Sequence, residues 1–207
     1  MNKPIIIIGD GGHASVLIET LHAMERKIVG YTAPKERIEL SDLVYLGADE
    51  IIEEYSPDEV ELVIGLGTVN IATYRKFLYE KFKNKGYSFT NVIHPSAILS
   101  PSVCLGEGIQ IMAGAIVQFN VELGNNTIIN TGVIIDHDCK IKNHTHIAPG
   151  TTLSGGVIVK ESCHIGTGVT VIQGIVIGNN TLIGAGSVVV TDIASNKKAY
   201  GVPAKEV

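Results

Sequence analysis

Between positions 93 and 189 an aliphatic side chain returns at every sixth residue without an insertion: Ile93, Leu99, Leu105, Ile111, Val117, Leu123, Ile129, Ile135, Ile141, Ile147, Leu153, Val159, Ile165, Val171, Ile177, Ile183 and Val189. Four residues after each, a second column is small or β-branched, running from Val103 and Ile109 through Thr127, Cys139, Thr145 and Cys163 to Val169. Three residues after each, the column is turn-forming, with Gly108, Gly114, Asn120, Asn126, Gly132, Gly150 and Gly156 among its members. Two inward residues and one turn residue per hexad describe a triangular β-solenoid of three hexads per coil. Positions 18 apart in the chain then stack on neighbouring coils.

Residues 1–90 follow another rhythm. Ile5–Ile8 predicts a short buried strand, followed by Gly9-Asp10-Gly11-Gly12-His13 and a helix carrying Val16, Leu17, Thr20 and Leu21. Residues 28–31 read as a second strand, 49–55 as a helix and 61–64 as a third strand, while Ile71, Tyr74, Leu78 and Phe82 share one helical face. This alternation implies the small parallel sheet of a Rossmann-like unit. The expected division is a Rossmann-like domain over 1–90, a parallel β-helix over 91–195 and a tail over 196–207, with residues 86–91 as the connection.

Composition narrows the class. A net charge of -5 with no basic run argues against nucleic acid and against an anionic membrane surface. The mean hydropathy is positive, yet no apolar run approaches the roughly 18 residues of a membrane helix. The excess Ile and Val belong to solenoid walls. Lys3 followed by only four isoleucines is too short for a signal peptide, so a cytoplasmic protein is expected. Cys104, Cys139 and Cys163 form no disulfide framework; the last two occupy inward columns and read as small buried hydrophobes.

Gly9, Gly11 and Ala14 fit G-x-G-x-x-[GA] between a strand and a helix, where a tight turn brings a phosphate to a helix N-terminus. A dinucleotide site would add an acid at the end of the second strand. That position is Thr32, so a phosphate or sugar-nucleotide site is expected rather than NAD, with a structural turn as the alternative. His13 would contact the ligand or cap the helix.

The candidate chemistry lies in Asn130-Thr131-Gly132-Val133-Ile134-Ile135-Asp136-His137-Asp138-Cys139. Ile135 points inward, so His137 falls at a corner, flanked by two carboxylates. One of them can hold the imidazole Nδ1 proton, fixing the tautomer and raising the basicity of the other nitrogen. Stacking sets His137 beside Phe119 and Gly155, on coils about 4.8 Å apart. Gly155 has no side chain to block access, so its N–H would face a ligand held over His137. A base beside a bare backbone donor suits acyl transfer; a solvated corner histidine is the plainer alternative.

The chain resembles the sialic acid O-acetyltransferase-type family of hexapeptide-repeat acyltransferases, and within it the nucleotide-sugar N-acetyltransferases that act on UDP-4-amino sugars. Gly11-Gly12-His13, Ile93-His94-Pro95-Ser96-Ala97, Asn130 with His137-Asp138, His146-Ile147-Ala148-Pro149-Gly150 and Gly201-Val202-Pro203-Ala204-Lys205 carry the likeness over nearly the full length. The resemblance implies a left-handed β-helix, a homotrimer, and acetyl-CoA in a groove between neighbouring solenoids. It implies His137 as general base with Asp138 as its polarising acid. Asn130 would lie near the acceptor amine, and His146, Gly155, Thr167 and Ala185 would bind acetyl-CoA. The sugar nucleotide would rest on Gly11, Gly12, His13, Thr32 and Gly65. Where relatives carry two acids after the second strand this chain has Thr32-Ala33, and Gly65-Leu66-Gly67 replaces a Gly-Asp-Asn or Gly-Asn-Asn loop.

The expected activity is direct acetyl transfer to the amine of a nucleotide-linked 4-amino-4,6-dideoxysugar in glycan biosynthesis. O-acetylation of a sugar such as a sialic acid, and a non-catalytic sugar-nucleotide sensor, are the alternatives. His144, in a turn column, is expected to be exposed. No metal is expected, because His137, His144 and His146 do not share a column as three convergent zinc ligands must.

Overall fold

The computed structural model describes every residue except Met1, Ile38, Glu39, Ser41 and Ala72. The N-terminal unit runs β1 (Ile5–Ile8), α1 (Gly12–Ala23), β2 (Ile28–Thr32), β3 (Tyr45–Gly47), a 3₁₀ turn (Asp49–Glu54), β4 (Glu61–Ile64), α2 (Thr73–Asn84) and β5 (Ser88–Phe89). All five strands are parallel, in the order β3-β2-β1-β4-β5. β1 is central and covered on both faces, which is why it reads as four unbroken isoleucines. Ile5 and Ile7 pack with Leu17 and Leu21 of α1, whereas Ile6 and Ile8 pack with Leu78 and Phe82 of α2.

Several local expectations need correction. β3 and β5 were not foreseen, and β5 lies inside the stretch read as a connection. The 49–55 segment is helical as expected, in 3₁₀ form over Asp49–Glu54. On α2 the buried face is Arg75, Leu78, Tyr79 and Phe82, Ile71 precedes the helix, and Tyr74 is 58% exposed. An arginine in the buried stripe shifted the apparent phase by one residue. Val16 of α1 is also exposed.

The second unit is a left-handed β-helix with one two-residue strand per hexad, from Val92–Ile93 to Val188–Val189. Register is three hexads throughout: Ile116 pairs with Ile134 and His146 with His164. The first face carries Gln110–Ile111, His146–Ile147 and His164–Ile165, the second Ile134–Ile135, and the third Lys140–Ile141. Both inward columns are buried from Ile109 onward, but Leu105 is exposed and Leu99 only half-buried, because no coil lies beneath them. Inward Thr145 and Thr151 satisfy their hydroxyls on the carbonyls of Lys160 and Gly166, both at 3.0 Å. Cys139 and Cys163 use the same reach to Ser154 and Gly178, and burial pushes both thiols up to about 11. These two cysteines are inert core groups; Cys104 is exposed.

Turn positions adopt the left-handed conformation whether Gly, Asn, Asp138 or His144 fills them. His144 is buried, correcting the expected exposure: it bonds Asn126 and meets the Tyr79 ring edge-on at 5.5 Å. This contact belongs to the seam between the units, where Val92 and Met112 join the α1 core and Lys76 reaches Glu161 at 2.6 Å. At the other end Lys198–Tyr200 pairs with Leu182–Ile183 and closes the top coil.

Candidate active site

A cavity of about 770 Å³ opens between the first solenoid face and the carboxyl ends of the N-terminal sheet. Gly11, Gly12 and His13 of α1 form one wall and the loop from Gly65 to Val69 another; Asn130, His146, His164, Thr167 and Ala185 line the solenoid side. The sheet positions this crevice where strand order reverses between β1 and β4, the usual ligand site of an open parallel sheet. Gly9, at φ 101°, and Gly65, where a Cβ would lie 2.7 Å from that of Ala14, let the two loops meet.

Burial keeps His13 and His146 neutral, and hydrogen bonds orient both rings. Gln110 donates from Nε2 to the Ile64 carbonyl at 2.8 Å, so its Oε1 accepts the Nε2 proton of His13 at 2.7 Å. His13 Nδ1 is thereby left as an acceptor. Burial, reinforced by nearby Arg75, brings His13 down to about 4. His146 donates from Nδ1 to the Thr68 carbonyl at 3.1 Å, with Thr68 Oγ1 at 2.8 Å, and its Nε2 receives Nδ2 of Asn130 at 3.1 Å. Asn130 Oδ1 is occupied by the Thr131 N–H, which fixes the amide orientation. Burial, then the edge-on His164 ring 5.0 Å away, brings His146 down to about 3. His146 has no free proton site, so it cannot act as a base without breaking this network.

Thr32 lies in a second cavity of about 310 Å³, with Gly9, Asp10, Asp49, Glu50 and Tyr74. Its hydroxyl donates to Asp49 Oδ1 at 2.6 Å. The acid absent from the end of β2 is thus supplied by the 3₁₀ turn, 17 residues along. Leu66 borders both cavities.

His137, Asp138 and Gly155 lie elsewhere. His137 occupies the exposed corner between the second and third faces and donates from Nδ1 to Asp138 Oδ2 at 2.8 Å. Asn120 holds the other Asp138 oxygen at 2.8 Å, and Asp136 accepts the His137 backbone N–H. The Asp138 hydrogen bond, then the Asp136 charge, raises the imidazole above its usual 6.5; hydrogen bonds from Asn120 and His137 lower Asp138. Nε2 makes no hydrogen bond to any described residue, and the side chain is exposed. The space expected above His137 is filled by the ring itself: a Cβ on Gly155 would fall 2.6 Å from Cε1 and Nε2. Gly155 makes room for the imidazole before it makes room for a ligand.

The fold therefore gathers Gly11, Gly12, His13, Gly65, Asn130, His146, Thr167 and Ala185 around one cavity, gives Thr32 its neighbour, and leaves the His137–Asp138 dyad on another corner of the same chain. Sequence reasoning missed Gln110, Thr68 and Asp49. None carried a local signal, since Glu122, Lys140 and Thr152 fill the Gln110 position in other hexads. Among the described residues no three His, Cys, Asp or Glu converge as a metal-binding group.

Comparison with known proteins agrees with the two-unit fold. The PglD N-terminal domain family matches residues 4–82 and the bacterial transferase hexapeptide family residues 120–155. A curated relative, UDP-N-acetylbacillosamine N-acetyltransferase of Bacillus subtilis, is 38% identical over 54% of this chain, a stretch that covers only about half (52%) of the relative. A variant of GDP-perosamine N-acetyltransferase from Caulobacter crescentus, solved with CoA and GDP-perosamine, is 38% identical over 99% of this chain and 96% of its own, with a TM-score of 0.92. The acetyltransferase domain of PglB from Neisseria gonorrhoeae is 32% identical over the whole of both chains, with a TM-score of 0.93. Matched over essentially its full length by these structures at 30% identity or more, this protein belongs to the hexapeptide-repeat acetyltransferases that carry a PglD-type N-terminal domain, the family of the nucleotide-amino-sugar N-acetyltransferases.

Proposed function

We propose that this chain transfers acetyl from acetyl-CoA to the amine of a nucleotide-linked 4-amino-4,6-dideoxysugar, at a site shared between copies of a homotrimer. The observation that carries this reading is the separation of parts. The cavity with Asn130 and His146 lies on the first solenoid face, while the exposed His137–Asp138 dyad, with its raised imidazole, lies between the second and third. A neighbouring copy that docks its His137 corner against this cavity completes the site, and a triangular prism closes such head-to-tail contacts after three copies. Exposed apolar side chains follow the docking side: Ile98 (63% exposed), Ile134 (40%) and, at the corner, Phe119 (62%).

In this arrangement the sugar ammonium first loses one proton to solvent, and His137 Nε2 takes a second from the neutral amine as it attacks. The nitrogen bonds to the thioester carbonyl carbon, the carbon–sulfur bond breaks, and CoA leaves as thiol with the proton returned by His137. The Gly155 N–H stabilises the developing oxyanion. The linked pair Asn130–His146 walls the acceptor, and Thr167 and Ala185 border the cofactor. Direct transfer is favoured because Cys139, the nearest nucleophile in sequence, is buried with a raised pKa. The names of the relatives support the amine as acceptor and CoA as carrier. Both substrates are products of cytoplasmic metabolism, where this reading sets the enzyme.

A panel of UDP-, dTDP- and GDP-linked 4-amino-4,6-dideoxysugars, assayed for thiol release from acetyl-CoA, tests the assignment. Turnover with at least one is expected. Turnover only on a free sugar hydroxyl would replace it with O-acetylation, and CoA binding without turnover would replace it with a sensor.

A further inference from the structure

Arg75 is a buried cation without an anion. It is 3% exposed and forms no ion pair with any described carboxylate. Its Nη1 donates to the carbonyls of Ile64 at 2.8 Å and Leu66 at 2.9 Å, while Nε and Nη2 have no partner among the described residues. Desolvating a guanidinium in this way is costly unless negative charge offsets it.

The groups it holds suggest where that charge belongs. The Leu66 carbonyl and the Gly67 N–H are two ends of one trans peptide and point in opposite directions. A carbonyl drawn toward Arg75 therefore turns the Gly67 N–H away from it. Gly67 lies on the wall of the main cavity, close against the ring of His13, and nothing among the described residues accepts from its N–H. On the neighbouring wall α1 begins with Gly11 and Gly12, without a side-chain cap and without an acid in its first turn. Its free N–H groups and dipole favour an anion.

With the α1 N-terminus as the phosphate site expected of the glycine loop, we infer that Arg75 is a positioning residue: it turns the Leu66–Gly67 peptide so that the Gly67 N–H clamps the diphosphate of the nucleotide sugar against that helix end, and it supplies the countercharge behind it. The inference rests on the proposed acceptor being a nucleotide sugar. It leaves His13 Nδ1, an acceptor, to meet a sugar hydroxyl or amine rather than a phosphate. Arg75 and His13 are tied together through the Ile64 carbonyl and Gln110, so clamp and sugar contact move as one unit.

A diphosphate is also part of CoA, so the test needs both ligands. Isothermal titration would compare the wild type, Arg75→Met and Arg75→Lys with UDP, GDP, uridine, guanosine and CoA. Arg75→Met is expected to weaken UDP and GDP about tenfold or more, the scale of a lost charge-assisted contribution. Nucleosides and CoA should be unaffected, and Arg75→Lys should recover part of the loss. An equal loss for nucleosides and diphosphates would reduce Arg75 to scaffolding and overturn the clamp. A loss confined to CoA would assign the clamp to the cofactor and overturn it as well. If Arg75→Met does not fold, competition on the wild type decides: inorganic pyrophosphate should displace UDP or GDP and raise Tm, and failure to displace refutes the clamp. A wild type that binds neither UDP nor GDP would overturn the acceptor assignment too. A wild type that binds one, with an unchanged diphosphate-to-nucleoside ratio in Arg75→Met, would sink the clamp alone.

Discussion

At the scale of single residues the proposed function turns on one imidazole. His137→Ala should lower turnover by about 10² or more, the usual contribution of a general base, while CoA affinity, measured by titration, stays near that of the wild type. Near-normal turnover at pH 7 would mean that the base is another group. The direction of the His137 shift adds a pH test. A base must be unprotonated, so the acid limb of kcat/KM should have its midpoint above the usual 6.5. Asp138→Asn removes the largest cause of that shift, so the limb should move to lower pH and the plateau should fall as the base weakens. A limb that stays in place would dissociate Asp138 from the base. Gly155→Val should fold and still lose turnover on the scale of His137→Ala, because the new Cβ meets the imidazole 2.6 Å away. Retained activity in that variant would show that the ring has slack.

At the scale of elements, each coil is held mainly by its neighbours above and below, so damage should stay local. Ile165 is fully buried in the first-face column. Ile165→Ala should cost about 2–5 kcal/mol, the range for emptying a packed aliphatic site, read as a lower urea midpoint with β-sheet circular dichroism preserved. A change below about 0.5 kcal/mol, ordinary for a surface site, would mean that the column is not tightly packed. The solenoid strands were legible because every hexad repeats the same inward, inward and turn positions. β3 and β5 were not: Tyr45–Gly47 and Ser88–Phe89 are two or three residues long and have no repeat to reveal them. They are strands because β2 and β4 offer free edges, which is a property of the sheet.

At the scale of the whole molecule, the cavity and the dyad belong to different corners, so activity should require assembly. Light scattering should report a trimer; a stable particle near the 22.0 kDa chain mass would sink the shared-site proposal. Mixed assemblies test it further. Inactive His137→Ala chains and inactive Asn130→Ala chains, unfolded together and refolded, should recover activity in sites that join an intact corner to an intact cavity. No recovery from a mixture shown to contain hybrid trimers would mean that both halves act within one chain.

Much of this protein follows from local rules alone. The six-residue period, the unbroken isoleucines of β1 and the glycine loop define a Rossmann-like sheet leading into a β-helix, since strand, coil and turn preferences act over a few residues. Stacking by 18 even brings Gly155 to His137 and His146 to His164. Tertiary structure alone decided the contacts that build the two cavities, within the N-terminal unit and across the seam. It brought Asp49 to Thr32, aligned Gln110 and Thr68 on the two cavity histidines, and buried Arg75 behind the Gly67 peptide. These contacts join residues with no fixed spacing, and they set charge and tautomer through burial, a quantity that exists only once the chain has closed around the site.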